Sequence, residues 1–186
     1  MRSIRRLLAL VCILHLCIPY AVAQDSAVTF DGEEFTKKFI GKPRNADKLT
    51  EYVRATESFE NWTKLIGFRY QQLPGIQNDP KKAANGMGQV LKARNPNTPV
   101  RVIENDPVSE ALIDFVMLNP DGETMEFNIW RFAKSTDGQG VISLQVAYRF
   151  TEVSSEGTDK FMKLRASWTK EAMAYDMNRV RTELGQ

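Results

Sequence analysis

The spacing of hydrophobic residues changes from a helical to a strand period about halfway along the chain. Between residues 79 and 94 apolar residues recur every three or four positions, which predicts an amphipathic helix that begins at Asp79-Pro80. From residue 100 onwards apolar and polar residues alternate, which predicts β-strands. Four such strands are predicted, at 100–105, 111–119, 124–134 and 141–150. Asp-Gly turns separate the last three, so the pattern predicts an antiparallel meander.

Weaker patterns flank these segments. Residues 49–54 alternate as a short strand, and Ser58 followed by four apolar residues predicts a short helix, with Phe59, Trp62, Leu65 and Ile66 on one face. A long final helix is predicted from Thr158 to Leu184, with an apolar stripe that would cover the sheet. The predicted fold class is therefore α+β, an antiparallel meander covered by helices.

The first 23 residues have the layout of a secretory signal peptide. Arginines precede an apolar run from Leu7 to Ile18, and small residues stand at Ala21 and Ala23. The run has about 12 residues and is shorter than the roughly 20 that cross a bilayer. We therefore predict cleavage between Ala23 and Gln24 and a periplasmic or secreted location. Residues 24–47 are expected to be loosely ordered with one edge strand, and residues 48–186 to form a single domain.

Cleavage would change the available chemistry. Cys12, Cys17 and His15 all lie in the segment to be removed, so the mature chain would lack the residues of zinc sites, disulfides, thiol catalysis and Ser-His hydrolysis. The segment also holds three of the 25 basic residues and none of the 23 acidic ones, which leaves 22 against 23. This balance gives no basic field for nucleic acid or anionic membranes. We expect no metal, no cofactor and no stable membrane span.

Strand 124–134 offers the strongest candidates for recognition. Its alternation places Trp130 and Phe132 on the face opposite Phe127. These two aromatic residues indicate either a recognition patch or a second face covered by the helix at 79–94, and we favour the covered face. Arg131 and Arg149 are candidate cross-strand neighbours that would bind an anion; the alternative is that they are rim charges or partners of carboxylates. No spacing of acidic residues singles out a catalytic pair.

The segment "ESFENWTK" contains the triplet Asn61-Trp62-Thr63, which fits the glycosylation pattern. The pattern is short and arises often by chance, so we do not predict a glycan. Trp62 is interpreted as a core residue because it shares a predicted helical face with other apolar residues.

Several strings in the chain resemble a group of uncharacterised secreted proteins of Gram-negative bacteria. They are "LTEYVR", "ESFENWTKLIGFRYQQLPG", "EFNIWRF" and "VISLQVAYRF", within residues 48–150. The four residues Glu60, Asn61, Trp62 and Thr63 are the most specific part of this resemblance. It implies a bacterial envelope protein and brings no catalytic residues with it. The order of elements is also similar to the Mog1/PsbP-like α/β/α sandwich, whose members are mostly binding or assembly factors.

Three functional hypotheses follow. The first is a non-enzymatic binding or accessory protein whose partner is an envelope protein, a secretion component or a small ligand. The second is a hydrolase or lyase that works with carboxylates and without His or Cys. The third is an inhibitor or immunity-type protein. Acids that converge in one pocket would favour the second hypothesis over the first.

Overall fold

The computed structural model describes residues 27–41, 47–118, 124–151 and 155–186. These residues form the elements β1 (Val28–Phe30), β2 (Glu33–Phe35), β3 (Lys37–Gly41), β4 (Lys48–Val53), β5 (Lys64–Gln71), α1 (Pro80–Arg94), β6 (Val100–Asn105), β7 (Glu110–Leu118), β8 (Met125–Lys134), β9 (Val141–Phe150), α2 (Ser155–Ala174) and α3 (Met177–Glu183). Short 3₁₀ turns occupy Pro74–Ile76 and Asp106–Val108. The predicted α+β class is confirmed.

One antiparallel sheet of seven strands organises the domain. Its strand order is β3-β4-β5-β9-β8-β7-β6, so the last strand of the chain lies in the middle of the sheet. The predicted meander is confirmed, because β6 to β9 pair in sequence. The strands predicted at 100–105 and 141–150 match β6 and β9. The strand predicted at 111–119 differs from β7 by one residue at each end, and the strand predicted at 124–134 starts one residue before β8.

Helix α1 covers one face of the sheet over β6, β7 and β8. The Asp79 side chain accepts hydrogen bonds from the backbone N–H groups of Lys81 and Lys82, which fixes the predicted start of the helix. Ala84 and Leu91 of α1 are buried against sheet residues that include Ile113. The helix predicted at 79–94 is confirmed.

The opposite face is covered by α2, α3 and the β1–β2 hairpin. Trp168 of α2 is 1% exposed and packs edge-on against Phe30 of the hairpin, with ring centroids 5.5 Å apart. Its Nε1 donates a hydrogen bond to Asp31 Oδ2 over 2.8 Å, and Asp31 N donates to Glu171 Oε1 over 2.6 Å. Asp31 and Gly32 both have positive φ, as a tight hairpin turn requires. The hairpin is thus fastened to α2 at its turn.

The predicted helix around Trp62 is wrong. Residues 64–71 form strand β5, which pairs with β4 on one side and β9 on the other. The segment before it, residues 55–63, is a loop closed by the Glu57 carboxylate, which accepts hydrogen bonds from Thr63 N and Thr63 Oγ1. Although the apolar residues have a helical spacing, pairing with two neighbouring strands stabilises the extended conformation of this segment.

The prediction of one continuous final helix is also wrong. Helix α2 ends at Ala174, and α3 begins after Asp176, whose side chain accepts a hydrogen bond from Asn178 N. At the break, Arg131 Nη1 of β8 donates to the carbonyls of Ala172, Met173 and Tyr175 at 2.8–3.0 Å. A helix leaves its last carbonyls without internal partners, and here a sheet arginine supplies the donors.

Residues 27–41 of the segment 24–47 are more ordered than the sequence indicated. They contribute β1, β2 and β3, and β3 is the expected edge strand. Val28, Phe30 and Phe35 are each at most 1% exposed. The proposed cleavage position between Ala23 and Gln24 lies outside the described residues.

Candidate functional site

Arg131 and Arg149 lie on opposite faces of the sheet, so they do not form the anion-binding pair considered from the sequence. Arg131 pairs across the sheet with Leu144, on the face of α2, and Arg149 pairs with Glu126, on the face of α1. Arg131 Nη2 is 2.6 Å from Glu110 Oε2 in a nearly buried ion pair. Its donors are engaged by this carboxylate and by the end of α2, so its role is structural.

Trp130 and Phe132 are buried beneath α1 and do not form an exposed patch. Trp130 is 8% exposed and Phe132 is 2% exposed, and both belong to the cluster that includes Ala84 and Leu91. The structure therefore shows the covered face that we favoured over a recognition patch.

Trp62 of the "ENWT" string is buried in a small cluster with Val53, Leu65 and Ala147. The Arg149 guanidinium carbon lies 3.6 Å from the centroid of its ring, a cation–π contact. The other three residues of the string, Glu60, Asn61 and Thr63, are exposed. Trp62 is a core residue, as predicted, although it does not lie on a helix.

Glu57 closes the loop that positions Trp62, and its ionisation should control the stability of this loop. Burial raises its pKa, but hydrogen bonds from Arg54 and Thr63 outweigh burial and lower the pKa from 4.5 to about 2. Since the folded pKa lies below the unfolded value, the ionised carboxylate stabilises the fold above about pH 4.5. That contribution is lost as the pH falls from 4.5 towards 2.

We expect Glu57→Gln to lower the free energy of unfolding at about pH 7 by ~1–2 kcal/mol, because it replaces a charged acceptor by a neutral one and so weakens the hydrogen bonds from Arg54 and Thr63. Urea denaturation at neutral pH and near pH 3 measures the effect, and the difference from wild type should shrink at the lower pH. Glu60→Gln, an exposed neighbour in the same loop, is the control and should have a much smaller effect. A pH-independent cost for Glu57→Gln would contradict the assignment.

A hydrogen-bonded polar network crosses four central strands on the α1 face of the sheet. Arg69 Nη2 donates to Glu51 Oε1 and to Gln145 Oε1, both over 3.2 Å. Gln145 Nε2 donates to Asn128 Oδ1 over 2.9 Å, and Asn128 Nδ2 donates to Glu126 Oε1 over 3.0 Å. Arg149 Nε completes the chain with a bond to Glu126 Oε2 over 3.2 Å. We call these six residues the sheet network.

The sheet network lies beside α1. Helix α1 packs on β6, β7 and β8, whereas the network extends over β8, β9, β5 and β4. Gly67 stands at its centre, and a Cβ at this position would lie 3.2 Å from Gln145 Oε1. Glycine therefore leaves the space through which the Gln145 side chain joins Arg69 to Asn128.

Burial disfavours charge at the Glu51 end of the sheet network. Burial raises the pKa of Glu51 and the Arg69 charge opposes the rise only in part. Burial also lowers the pKa of Arg69, against the opposing effect of Glu51. The Arg69 guanidinium carbon lies 4.9 Å from the centroid of the Trp130 ring, which partly compensates for the lost hydration.

Three buried polar atoms at this place have no hydrogen-bond partner within the described part of the chain. They are Arg69 Nε, Trp130 Nε1 and Ser143 Oγ. Arg69 and Ser143 are cross-strand partners, and Trp130 lies opposite Gln145 in the adjacent row of the same sheet face. A buried polar group without a partner costs about 1–3 kcal/mol, so three of them together need an explanation. All three atoms can donate a hydrogen bond, and their residues occupy neighbouring positions on one face of the sheet.

No motif in the sequence marks Glu51, Arg69, Gln145 or Ser143, because each is an ordinary polar position in a strand. One signal was present in the sequence. Arg69, Gln145 and Arg149 are polar residues within the strings "GFRYQ" and "SLQVAYRF", which otherwise form central, largely buried strands.

A depression lies between α1 and β6 and has a volume of about 590 Å³. Its polar lining residues Asn85, Gln89 and Lys92 are exposed, so water can satisfy their hydrogen bonds. They differ in this from the three buried atoms beside the sheet network, which have no partner within the described part of the chain. Within the described ranges, no three Asp, Glu, His or Cys side chains are grouped so that they could hold a metal ion. The same ranges contain no helix that is long and apolar enough to span a membrane.

The fold and site define an α+β domain in which a seven-stranded antiparallel sheet, flanked by helices on both faces, carries a partly unsatisfied polar network. A sequence model of an uncharacterised bacterial family matches residues 22–180, and the chain belongs to this family. Comparison with curated proteins and with solved structures gave no match.

Proposed function

We propose that the protein is a non-enzymatic binding or accessory protein of the bacterial envelope, and that its ligand binds at the Glu51 end of the sheet network. The observation that carries this proposal is the group of three buried donors without partners, Arg69 Nε, Trp130 Nε1 and Ser143 Oγ. Natural proteins rarely leave several such groups together unless a ligand, an ion or ordered water completes them.

The positions of the acidic residues favour binding over hydrolysis. The two carboxylates of the sheet network, Glu51 and Glu126, lie on β4 and β8, which are three strand spacings apart. At about 4.8 Å per spacing the backbones of these strands are roughly 14 Å apart, and Glu126 is also four residues along β8 from Trp130, which lies in the same row as Glu51. The two carboxylates are therefore not placed like paired hydrolytic acids, which are ~5–9.5 Å apart. Each is also engaged by its own arginine, Arg69 or Arg149.

An envelope location rests on the predicted signal peptide at residues 1–23 and on the resemblance to secreted proteins. The proposed likeness to the Mog1/PsbP-like fold rests on the order of helix, sheet and helix layers, and the accessory role is proposed by analogy with that fold. In this proposal the protein is exported, is cleaved after Ala23, and acts as the mature chain from Gln24.

Native mass spectrometry of the protein purified from the envelope fraction of a Gram-negative expression host tests this proposal. We expect a chain that begins at Gln24 and carries a non-covalent adduct of low mass. Arg69→Met should lose the adduct, since it removes the guanidinium at the Glu51 end. Arg149→Met, at the other end of the network, is the matched control and should retain it.

Two results would count against the proposal. An intact Met1 in the envelope fraction would overturn export with cleavage. The second result has two parts: the wild-type chain carries no adduct, and the same preparation converts a component of added envelope extract into a product. This result would favour the carboxylate enzyme over the binding protein.

A further inference from the structure

We propose that the group bound at the Glu51 end of the sheet network is a carboxylate, held by Arg69 Nε, Trp130 Nε1 and Ser143 Oγ. This inference rests on the proposed function and adds the chemical class of the ligand. The two side chains that are more than nine-tenths buried, Trp130 at 8% and Ser143 at 1% exposed, each present an unpartnered polar atom.

The number and type of free donors favour a carboxylate. Indole and guanidinium N–H groups only donate, and the serine hydroxyl can donate. A neutral carbonyl oxygen has two lone pairs, whereas a carboxylate has about four acceptor sites and can satisfy all three donors at once. The bonds that Arg69 makes, both 3.2 Å through Nη2, are long for charge-assisted hydrogen bonds, so the guanidinium retains capacity for a second acceptor.

Charge balance favours a single negative charge. Among the described residues, Arg69 has Glu51 as its ion-pair partner, and burial raises the pKa of Glu51. A carboxylic acid whose charged form is already disfavoured can become neutral when another anion binds beside it. A phosphate dianion would add a second charge for which this end of the network has no cation, so a monocarboxylate is the better match.

The test uses the indole N–H signals of the three tryptophans in ¹⁵N-labelled full-length protein. Sodium acetate is titrated at constant ionic strength, with acetamide as the neutral isostere and sodium phosphate as the alternative anion. We expect the Trp130 signal to shift with acetate and to saturate, and to respond at least about tenfold more weakly to the other two probes. The Trp168 signal is an internal control, because its Nε1 already donates to Asp31.

Two serine variants separate a ligand role from a structural role. Ser143→Ala should raise Tm by about 2–4 °C without ligand, because it removes a buried hydroxyl that has no partner, yet weaken acetate binding about tenfold. Ser135 is also buried, but its Oγ donates to Asp137 and accepts from Gly140 N. Ser135→Ala should therefore lower Tm and leave acetate binding unchanged.

The outcomes are distinguishable from failure of the proposed function. Equal shifts with acetate and acetamide, or a stronger response to phosphate, would overturn the carboxylate and leave a binding site in place. A lower Tm for Ser143→Ala with no effect of acetate on Trp130 would overturn the ligand role of the three donors. If acetate binding saturates but native mass spectrometry finds no adduct on the protein from the envelope fraction, the carboxylate preference is supported. The proposed function in the envelope then loses its support.

Discussion

Arg131→Met is expected to lower the free energy of unfolding by about 3–5 kcal/mol, the cost of breaking a buried ion pair by removal of one partner. The variant leaves the Glu110 carboxylate nearly buried without its guanidinium, and it also leaves the last carbonyls of α2 without their donors. Urea denaturation followed by circular dichroism measures the change. A variant that also carries Glu110→Gln should recover part of the loss, because the unpaired charge is then gone.

Arg149→Met is the matched control for this prediction. Arg149 is on the other face, its side chain is 30% exposed, and it interacts with Glu126 and the Trp62 ring. Loss of a partly exposed ion pair and a cation–π contact should cost about 1–2 kcal/mol. Equal costs for the two arginine variants would contradict the structural role assigned to Arg131.

Trp168→Ala is expected to destabilise the protein by about 3–5 kcal/mol, as truncation of a buried aromatic residue does. Trp168 contacts the rings of Phe30, Phe127 and Tyr148, and its indole holds Asp31 at the turn of the hairpin. Hydrogen exchange should therefore show lost protection in β1 and β2 beyond the global effect. Trp168→Phe should keep most of the core packing but still weaken the hairpin.

Met162→Ala is the control on the same helix, because Met162 is 52% exposed. It should change the free energy of unfolding by no more than about 0.5 kcal/mol. Unchanged exchange of the β1–β2 amides in Trp168→Ala would show that the hairpin is held by contacts other than those with α2.

The parts of the fold that the sequence predicted correctly are those set by local chemistry. Asp79 and Pro80 mark the start of α1, and strict alternation with Asp-Gly turns marks the meander. The wrong predictions concern segments decided by distant residues. Residues 64–66, predicted to be helical, belong to a strand because β4 and β9 pair with them, and the final helix breaks where Arg131 of β8 meets its carbonyls. Neither β9 nor Arg131 is near its partner in sequence.

The candidate site could be predicted only in part, for a related reason. Alternation correctly separated the two faces of β8 and placed Trp130 and Phe132 under α1. The sheet network, however, takes one or two residues from each of four strands, and its membership depends on strand order and register. Without a pairing partner for β5, nothing in the sequence brings Arg69 to Gln145 or Ser143.

The central position of β9 constrains the order in which the chain can fold. Gln71 pairs with Val141 and Lys64 with Tyr148, so the partners of β5 are 70 to 84 positions away along the chain. During synthesis, β3, β4 and β5 are made long before β9, so the edge of β5 that pairs with β9 is at first unpaired. Long-range pairing of this kind slows folding and exposes strand edges to aggregation. We expect the two halves of the sheet to join late in folding, because β5 and β9 are far apart along the chain.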